Sequence, residues 1–540
     1  MAEEKGAKWT TTEEWALERE KKYDEVKEKY KDKKWPELTT EEKYEVFEAR
    51  KAVLERMGGV RGIKRQHDRG KYTVRERADK LFDPGSFVEI GLHCKSSCLS
   101  YDLYKVAPED MPADGILAGY GLVDGRPVYA FFQDFTTWGG TLGKTHAEKI
   151  KRVSGEAVQN NCPIVYIADS GGARIQEGTD SLAGYGDLFY VNSIYSGCVP
   201  QLCGIIGPCA GGAVYSPALM DCIFTVEGET EMFITGPIVI KAVLGQDVGK
   251  EELGGARVNC ERSGNAAFMA QDEDEFIGQL KKLLGFLPGS AKQKPPYVET
   301  GDSPDRTTPE LRKIIPDSLT EPYDMKKIIE TVVDNGDFLE WQELFAPSLV
   351  CAFARMNGNS VGIIGQNPMH LNGAVTIDSG DKGSKFMRLC DAYNVPLISF
   401  VDASEYAVGK EQEVGGIIRH SAKLIQAYAE ATVPKITIIT RKAFGGPALL
   451  GSKNLGSDLV LVWPTCEMAA ASPEQAVSVI GGDEMDYRNR FADPAVPATK
   501  LHIDEIIDAA DTRPLICKAL NMFEQKSVDL PYKKHNIKPH

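Results

Sequence analysis

Three stretches of this sequence occur twice, at almost one spacing. AGYGLVDGRPV (118–128) is matched by CAFARMNGNSV (351–361), NCPIVYIADSG (161–171) by NVPLISFVDAS (394–404), and CAGGA (209–213) by AFGGP (443–447). Their first residues lie 233, 233 and 234 positions apart. That period is too long for a solenoid, so each copy is a whole domain of an internal duplication. Asp124-Gly125 and Asn357-Gly358 are hairpin turns between paired strands. Each copy reads strand, strand, helix, strand, glycines, helix. In the first, strands fall at 128–135, 163–169, 202–207 and 222–227, with a helix at 145–159. Short apolar strands alternating with helices predict the α/β class.

The chain has 540 residues, more than one compact core holds. The expected division is a helical extension at 1–57, a first domain at 58–293, a polar, Pro-containing linker at 294–311 and a second domain at 312–540. Thr11-Thr12-Glu13-Glu14 and Thr39-Thr40-Glu41-Glu42 are helix starts, with a break at Pro36 and an end near Gly58-Gly59. Trp9, Trp15 and Trp35 leave that extension open to two uses, a solvated arm or a docking surface. The net charge of −15 argues against a nucleic-acid binder. No run approaches the roughly 18 apolar residues of a membrane span. The twelve cysteines are scattered. Cys94 and Cys98 lack a second pair, and Cys203 and Cys209 lack a nearby His, so no metal site is expected. Free thiols fit a reducing cytoplasm.

GPCAGGAVYSPALMD (207–221) follows a buried strand and reads as the opening of a helix. Glycines there let backbone N–H groups approach a ligand, and the start of a helix favours negative charge. No Walker lysine follows, and the spacing is not G-x-G-x-x-G. Without a Ser or Cys elbow or a metal set, charge stabilisation by N–H groups is the chemistry left. Plain packing is the competing use of the same glycines. DSGGARIQEG (169–178) is a second glycine-dense loop. Arg174 suits a carboxylate or phosphate. Asp169 and Glu177 suit acid/base work or a structural role, the latter favoured for Asp169.

Beyond these loops, QHDRGKYTVRERADKLFDPGSFVEIG (66–91), QDFTTWGGTLGKTHAEKI (133–150), MFITGP (232–237), GGIIRHSAKLIQAYAEATVPKITIITRKAFGG (415–446) and WPTCEMA (463–469) complete a pattern. Over about residues 50–530 the chain resembles the carboxyltransferase (β) subunit of biotin-dependent acyl-CoA carboxylases. The nearest branch is that of propionyl-CoA carboxylase and methylmalonyl-CoA transcarboxylase. The resemblance implies two crotonase-like domains. It implies a hexamer whose sites lie between one subunit's first domain and another's second. Acyl-CoA would lie on the first domain, against Gly171, Gly172, Ala173 and Arg174. Gly211, Gly212 and Ala213 would hold the thioester oxygen of the enolate. Gly445, Gly446 and position 447 would hold the ureido oxygen of biotin. The biotin carboxylase and biotin carrier would be separate chains, since DMKK (324–327) lacks the apolar setting of a biotinylation site. In that reading biotin takes the α-proton, and no side-chain base is required.

Departures cluster in the second half. The family's GGAY is GGPA, so Pro447 removes a donor that biotin would use. Its DVPGFLPGxxQE is DASEYAVGKEQE (402–413), and its EIAVMGAEGA is EMAAASPEQA (467–476). Leu449 stands where propionyl-type members carry Asp on the acyl pocket wall. Three functions therefore stay open: a biotin-linked carboxyltransferase or decarboxylase, a biotin-independent acyl-CoA decarboxylase, and a non-catalytic structural paralogue. In the second, Glu405, Tyr406, Lys410 and Glu411 are the candidate acids and bases, with solvated loop charges as the alternative.

Overall fold

The computed structural model describes residues 11–96, 98, 111–403, 405–446 and 451–539. The chain divides into two compact units: residues up to Cys260 with Asn265–Lys281, and Glu261–Gly264 with residues from Lys282 onward.

The first unit is built on an eight-stranded sheet. Its strands are β1 (Val88–Glu89), β2 (Ile116–Val123), β3 (Arg126–Gln133), β4 (Ile164–Ser170), β5 (Gln201–Ala210), β6 (Cys222–Val226), β7 (Glu231–Phe233) and β8 (Phe268–Ala270). The order is β1-β2-β3-β4-β5-β6-β8, with β7 pairing β5 beyond the end of β6. The β1–β3 end is antiparallel, and the strands from β3 onward run parallel. Every residue of β4 is buried, as expected of a central parallel strand covered on both faces. Helices Lys144–Gln159 and Thr179–Tyr195 are the crossovers into β4 and β5. Ile150, Val153, Tyr166, Leu188 and Ile205 share the core between them.

The second unit repeats this plan with β9 (Phe338–Trp341), β10 (Leu349–Met356), β11 (Asn359–Gln366), β12 (Leu397–Ala403), β13 (Lys435–Phe444), β14 (Leu459–Val462), β15 (Glu467–Ala469) and β16 (Glu505–Ile506). Its order is β9-β10-β11-β12-β13-β14-β16, with β15 pairing β13. The copies agree in backbone detail. Asp124 (φ +49°) and Gly125 (φ +75°) turn one hairpin; Asn357 (φ +49°) and Gly358 (φ +76°) turn the other. In each, one aspartate, Asp83 or Asp334, accepts both turn N–H groups. The pairing of β4 with β5 shifts register between Ala168 and Ser170, and that of β12 with β13 between Val401 and Ala403. Both irregularities set two residues against four, ending in the pairs Ser170–Cys209 and Ala403–Ala443. Such a bulge bends the longer strand and re-aims the residues beyond it, here the glycines.

The helix expected after the first glycine pair is short: a 3-10 turn, Gly211–Val214, leads into the five-residue helix Tyr215–Leu219. Only eleven residues separate β5 from β6, and Pro217 removes an N–H. A large helix dipole is therefore absent at this turn, and its first N–H groups act locally.

At the N-terminus, helices Glu13–Lys29 and Thr40–Glu55 start at Thr12 and Thr39, the latter in a full capping box with Glu42. The buried Arg75 donates to the carbonyl of Glu55 and to Glu89, tying this arm to the first sheet. Trp35, Tyr44 and Phe47 face solvent.

Candidate active site: two glycine turns

In the first unit the site grows from the end of β5. Gly211 has φ +63°, a conformation only glycine adopts freely. A 3-10 turn closes its hydrogen bonds three residues back, so the first two N–H groups, of Gly211 and Gly212, have no acceptor within it. Ala213 comes third, within the turn's own bonding, and its side chain is buried. The open donors are therefore the two glycines rather than all three residues. The ring of Tyr185 backs Gly212, where a Cβ would meet it at 3.5 Å. The Tyr185 hydroxyl is buried and has no partner among the described residues.

The loop after β4 packs beside this turn. A Cβ on Gly172 would lie 3.1 Å from the carbonyl oxygen of Ala210. The loop is strapped on both sides, Leu142 N donating to Gly172 O at 2.9 Å and Arg174 N to Leu142 O at 3.0 Å. Gly171 N donates to Gly139 O.

Arg174 does not serve as a ligand-facing guanidinium. It is fully buried, pairing with Asp114 and with Glu177 at 3.0 Å, and donating to the carbonyl of Thr141 at 2.8 Å. Its cation also lies over the ring of Trp138. Breaking a buried pair of this kind costs about 3–5 kcal/mol, so Arg174 is a strut of the loop. Glu177 is tied down likewise. Burial works to raise its carboxyl, but Ser96, the Lys144 N–H and Arg174 hold it below the usual range. Asp114 is pushed up to about 6 by burial, against the pull of Arg174. His146, beside it, is held neutral by burial.

Asp169 sits behind the turn and is structural. It is fully buried, 2.9 Å from Lys71 and 3.4 Å from Arg77, with Arg77 clamped in turn by Glu273. A Cβ on Gly207 would fall 2.0 Å from Asp169 Oδ1, so β5 passes directly over the carboxylate. Glu229 borders this group, and burial, with Glu273 beside it, raises its carboxyl to about 7. Asp402 repeats the arrangement in the second unit, paired with Arg441 at 2.9 Å and Lys442 at 3.6 Å. The duplicated DSG and DAS strings flagged the two aspartates. Nothing in the spacing marked Lys71, Arg77, Asp114 or Tyr185, which reach their sites from distant segments.

The second unit carries the matching turn. Gly445 also has φ +63°, and its N–H points to Ala469 O at a long 3.4 Å. Gly446 opens the next turn. Pro447 and Leu449 lie outside the described residues. The four candidate acids and bases separate here. Glu405 accepts from the side chain of Gln475, and Lys410 and Glu411 are exposed. Only Tyr406 is brought to the turn. A Cβ on Gly446 would meet Tyr406 Cε2 at 2.4 Å and its hydroxyl at 2.9 Å.

Two sheets of one topology, each ending its fifth strand in a bulge and a Gly-Gly turn, set this geometry apart from a single-turn enzyme. The carboxyl transferase domain matches residues 65–537. The chain belongs to the carboxyl transferase family. This carboxyl transferase is 46% identical to the methylmalonyl-CoA decarboxylase subunit alpha of Veillonella parvula over 509 residues, covering 93% of the chain and 99% of that protein. It is 44% identical to the mitochondrial propionyl-CoA carboxylase beta chain of Homo sapiens, covering 88% and 90%. Among solved structures, the transcarboxylase 12S hexamer with methylmalonyl-coenzyme A bound superimposes with a TM-score of 0.90 at 43% identity. That match covers 93% of this chain and 99% of the other. The crotonase-like architecture of a carboxyl transferase is thus the fold of both units.

Proposed function

We propose that this chain is the carboxyltransferase subunit of a biotin-dependent enzyme acting on a short acyl-CoA of the propionyl/methylmalonyl class. Carboxylase, transcarboxylase and decarboxylase directions use the same site, and the relatives' names include all three. The observation that carries the reading is the pair of Gly-Gly turns whose first glycines, Gly211 and Gly445, share a φ of +63°. Loss of CO2 or of a proton from the α-carbon places negative charge on the thioester oxygen. Gly211 and Gly212 N–H groups, fixed in advance, stabilise that oxygen; one such donor lowers the barrier by about 2.7–4 kcal/mol.

Gly446 and Gly445, the latter sharing the φ of +63° of Gly211 and holding Ala469 O only at a long 3.4 Å, are suited to the ureido oxygen of biotin. Bound there, biotin would supply the carboxyl group's carrier and the base for the α-carbon. The first unit's loop is consistent with that division of labour. Asp114, Arg174 and Glu177 are tied up in buried ion pairs, which leaves them to hold the loop rather than to move substrate protons.

Both units carry exposed apolar side chains, among them Ile175, Ile234 and Ile238 in the first and Val408, Val414 and Ile418 in the second. We read them as the faces that meet in a hexamer, one subunit's first unit against another's second. A biotin carboxylase and a biotin carrier, or a carrier alone in the decarboxylase direction, complete the enzyme.

The experiment is transfer of a carboxyl group from methylmalonyl-CoA to free biotin or a biotin carrier by the purified protein, with and without avidin. Transfer that avidin abolishes supports the reading. Loss of CO2 from methylmalonyl-CoA undiminished by avidin replaces it with the biotin-independent decarboxylase. No turnover of acyl-CoA under any condition leaves the non-catalytic paralogue.

A further inference from the structure

The two copies cap their crossover helices in different ways. The matching bridges Leu142–Ala173 and Val375–Tyr406 set equivalent residues 233 positions apart. In the second unit the first N–H groups of Ile377–Ala392 meet neutral acceptors. Ile377 N donates to the side-chain oxygen of Gln412 at 3.1 Å, and Ser379 N to the Thr376 hydroxyl at 3.1 Å. In the first unit the equivalent N–H groups, of Lys144 and His146, meet carboxylates, Glu177 at 2.7 Å and Asp114 at 2.8 Å. The fully buried Arg174 pairs with both. By position, the counterparts of Asp114, Arg174 and Glu177 are Pro347, Ala407 and Lys410, which cannot build such a triad. The surroundings otherwise agree. Ala113 has φ +55° and Ala346 φ +46°. Lys149 and Lys382 each bury an ammonium on backbone carbonyls.

The fold therefore does not need the charges, since neutral groups cap the same helix turn in the second copy. Burying three charged groups carries a desolvation cost that the second copy avoids. What the triad adds in the first copy is a rigid link. Arg174 also donates to the carbonyl of Asp114 at 3.2 Å and to that of Thr141 at 2.8 Å. It ends the glycine loop that packs beside the first turn, where a Cβ on Gly172 would lie 3.1 Å from Ala210 O. Ala210 is the residue from which the turn Gly211–Val214 starts. Asp114 thus reaches the turn through one guanidinium and one loop.

We propose that Asp114 is a positioning residue for acyl-CoA turnover: its carboxylate fixes Arg174, and so holds loop 171–173 against the first glycine turn, only while it is ionised. This rests on the acyl-CoA reading above. The charged and titratable groups acting on it are Arg174 and Glu177 from the loop after β4, and His146 and Lys149 from the crossover helix. His146 is held neutral by burial, and the Lys149 ammonium is taken up by the carbonyls of Gly91, Ala113 and Ile116. Helix Thr40–Glu55, which also packs on this segment, buries the apolar Ala49, Val53 and Leu54. Burial pushes the Asp114 carboxyl up to about 6; Arg174 pulls it down and Glu177 pushes it up. Above that pH the guanidinium has its full partner. Below it the carboxyl is neutral, and the hold on Arg174 and the loop weakens.

The test is the pH profile of kcat/KM for methylmalonyl-CoA at saturating free biotin, followed as propionyl-CoA released between about pH 5 and pH 8. That ratio reports the ionisations of the free enzyme. The wild type is expected to lose activity on the acid side with a midpoint of about 6. Asp114→Asn turns an amide N–H toward one of its two donors. It is expected to be roughly 100-fold slower at the alkaline end and flat where the wild type falls, so that the two profiles converge in acid. Glu177→Gln carries the test should Asp114→Asn fail to fold. Glutamine already caps the equivalent helix in the second unit, as Gln412. With the repulsion of Glu177 gone, the acid limb should move down by roughly one pH unit. A merely structural triad lowers Tm in both variants without moving the limb. A wild type with no acid limb, a limb that Glu177→Gln does not move down, or a full-rate Asp114→Asn overturns the positioning role and leaves the functional reading standing. A wild type that turns over no acyl-CoA overturns that reading and this assignment with it.

Discussion

At the scale of single residues, the proposed chemistry rests on backbone atoms, with buried side chains around the first turn holding them in place. Gly212 separates the two contributions. A Cβ there meets the Tyr185 ring at an ordinary 3.5 Å, and the residue is second in a helical turn, where proline is tolerated. Gly212→Ala keeps the N–H and is expected to retain most activity. Gly212→Pro keeps the fold but loses about 100- to 1000-fold in kcat for carboxyl transfer, measured in steady state with circular dichroism as the folding control. Equal activity of the two variants would remove this N–H from the mechanism. Glu229 gives a pH effect without chemistry. Its carboxyl rises from the ordinary 4.5 to about 7 in the folded chain, through burial and then Glu273. The native state therefore binds the extra proton between those values, and stability falls as pH rises through that window. Glu229→Gln should flatten the decline, raising Tm relative to wild type at pH 8 but not at pH 4.5.

At the scale of elements, the shared device is a bulge pressed over a glycine. Gly140 has φ +61°, and a Cβ on it would lie 2.1 Å from Asp169 O; Gly373 has φ +74°, with Asp402 O at 2.4 Å. Each glycine lets the loop before the crossover helix lie against the end of the central strand. Alanine at either site is strained twice, by its φ and by the carbonyl. Gly140→Ala and Gly373→Ala are each expected to destabilise by more than about 1 kcal/mol in urea unfolding. Because the geometry is duplicated, the two effects should be of similar size. A neutral result at one site would show that the copies have diverged there.

At the scale of the molecule, the exposed apolar residues are where the proposed assembly is tested. Ile238 and Val243 lie on the helix Pro237–Leu244, none of whose residues is buried. Under the proposed hexamer, this bare apolar helix is the face expected to meet a partner. Ile238→Glu with Val243→Glu should shift the protein to smaller species in sedimentation velocity. Carboxyl transfer should fall in parallel, with far-UV dichroism unchanged. An intact oligomer would place the interface elsewhere. Among the described residues no helix is long and apolar enough to cross a membrane, and the twelve cysteines are free thiols.

The order of residues was enough to establish the duplication, the α/β alternation, the hairpins at Asp124-Gly125 and Asn357-Gly358, and the Gly-Gly turns that end β5 and β13. All of these depend on short-range rules, in which strand period, turn residues and glycine conformation are written into neighbouring positions. The roles of the side chains around the turns emerged only in the folded chain. Arg174 looked free to bind an anion because its partner Asp114 lies sixty positions away. Asp169 is neutralised by Lys71 from ninety-eight positions away. Tyr406 was one of four equal candidates until packing set it alone against Gly446. Contacts closed by folding across such distances leave no mark in local spacing, so burial and pairing had to be seen in space.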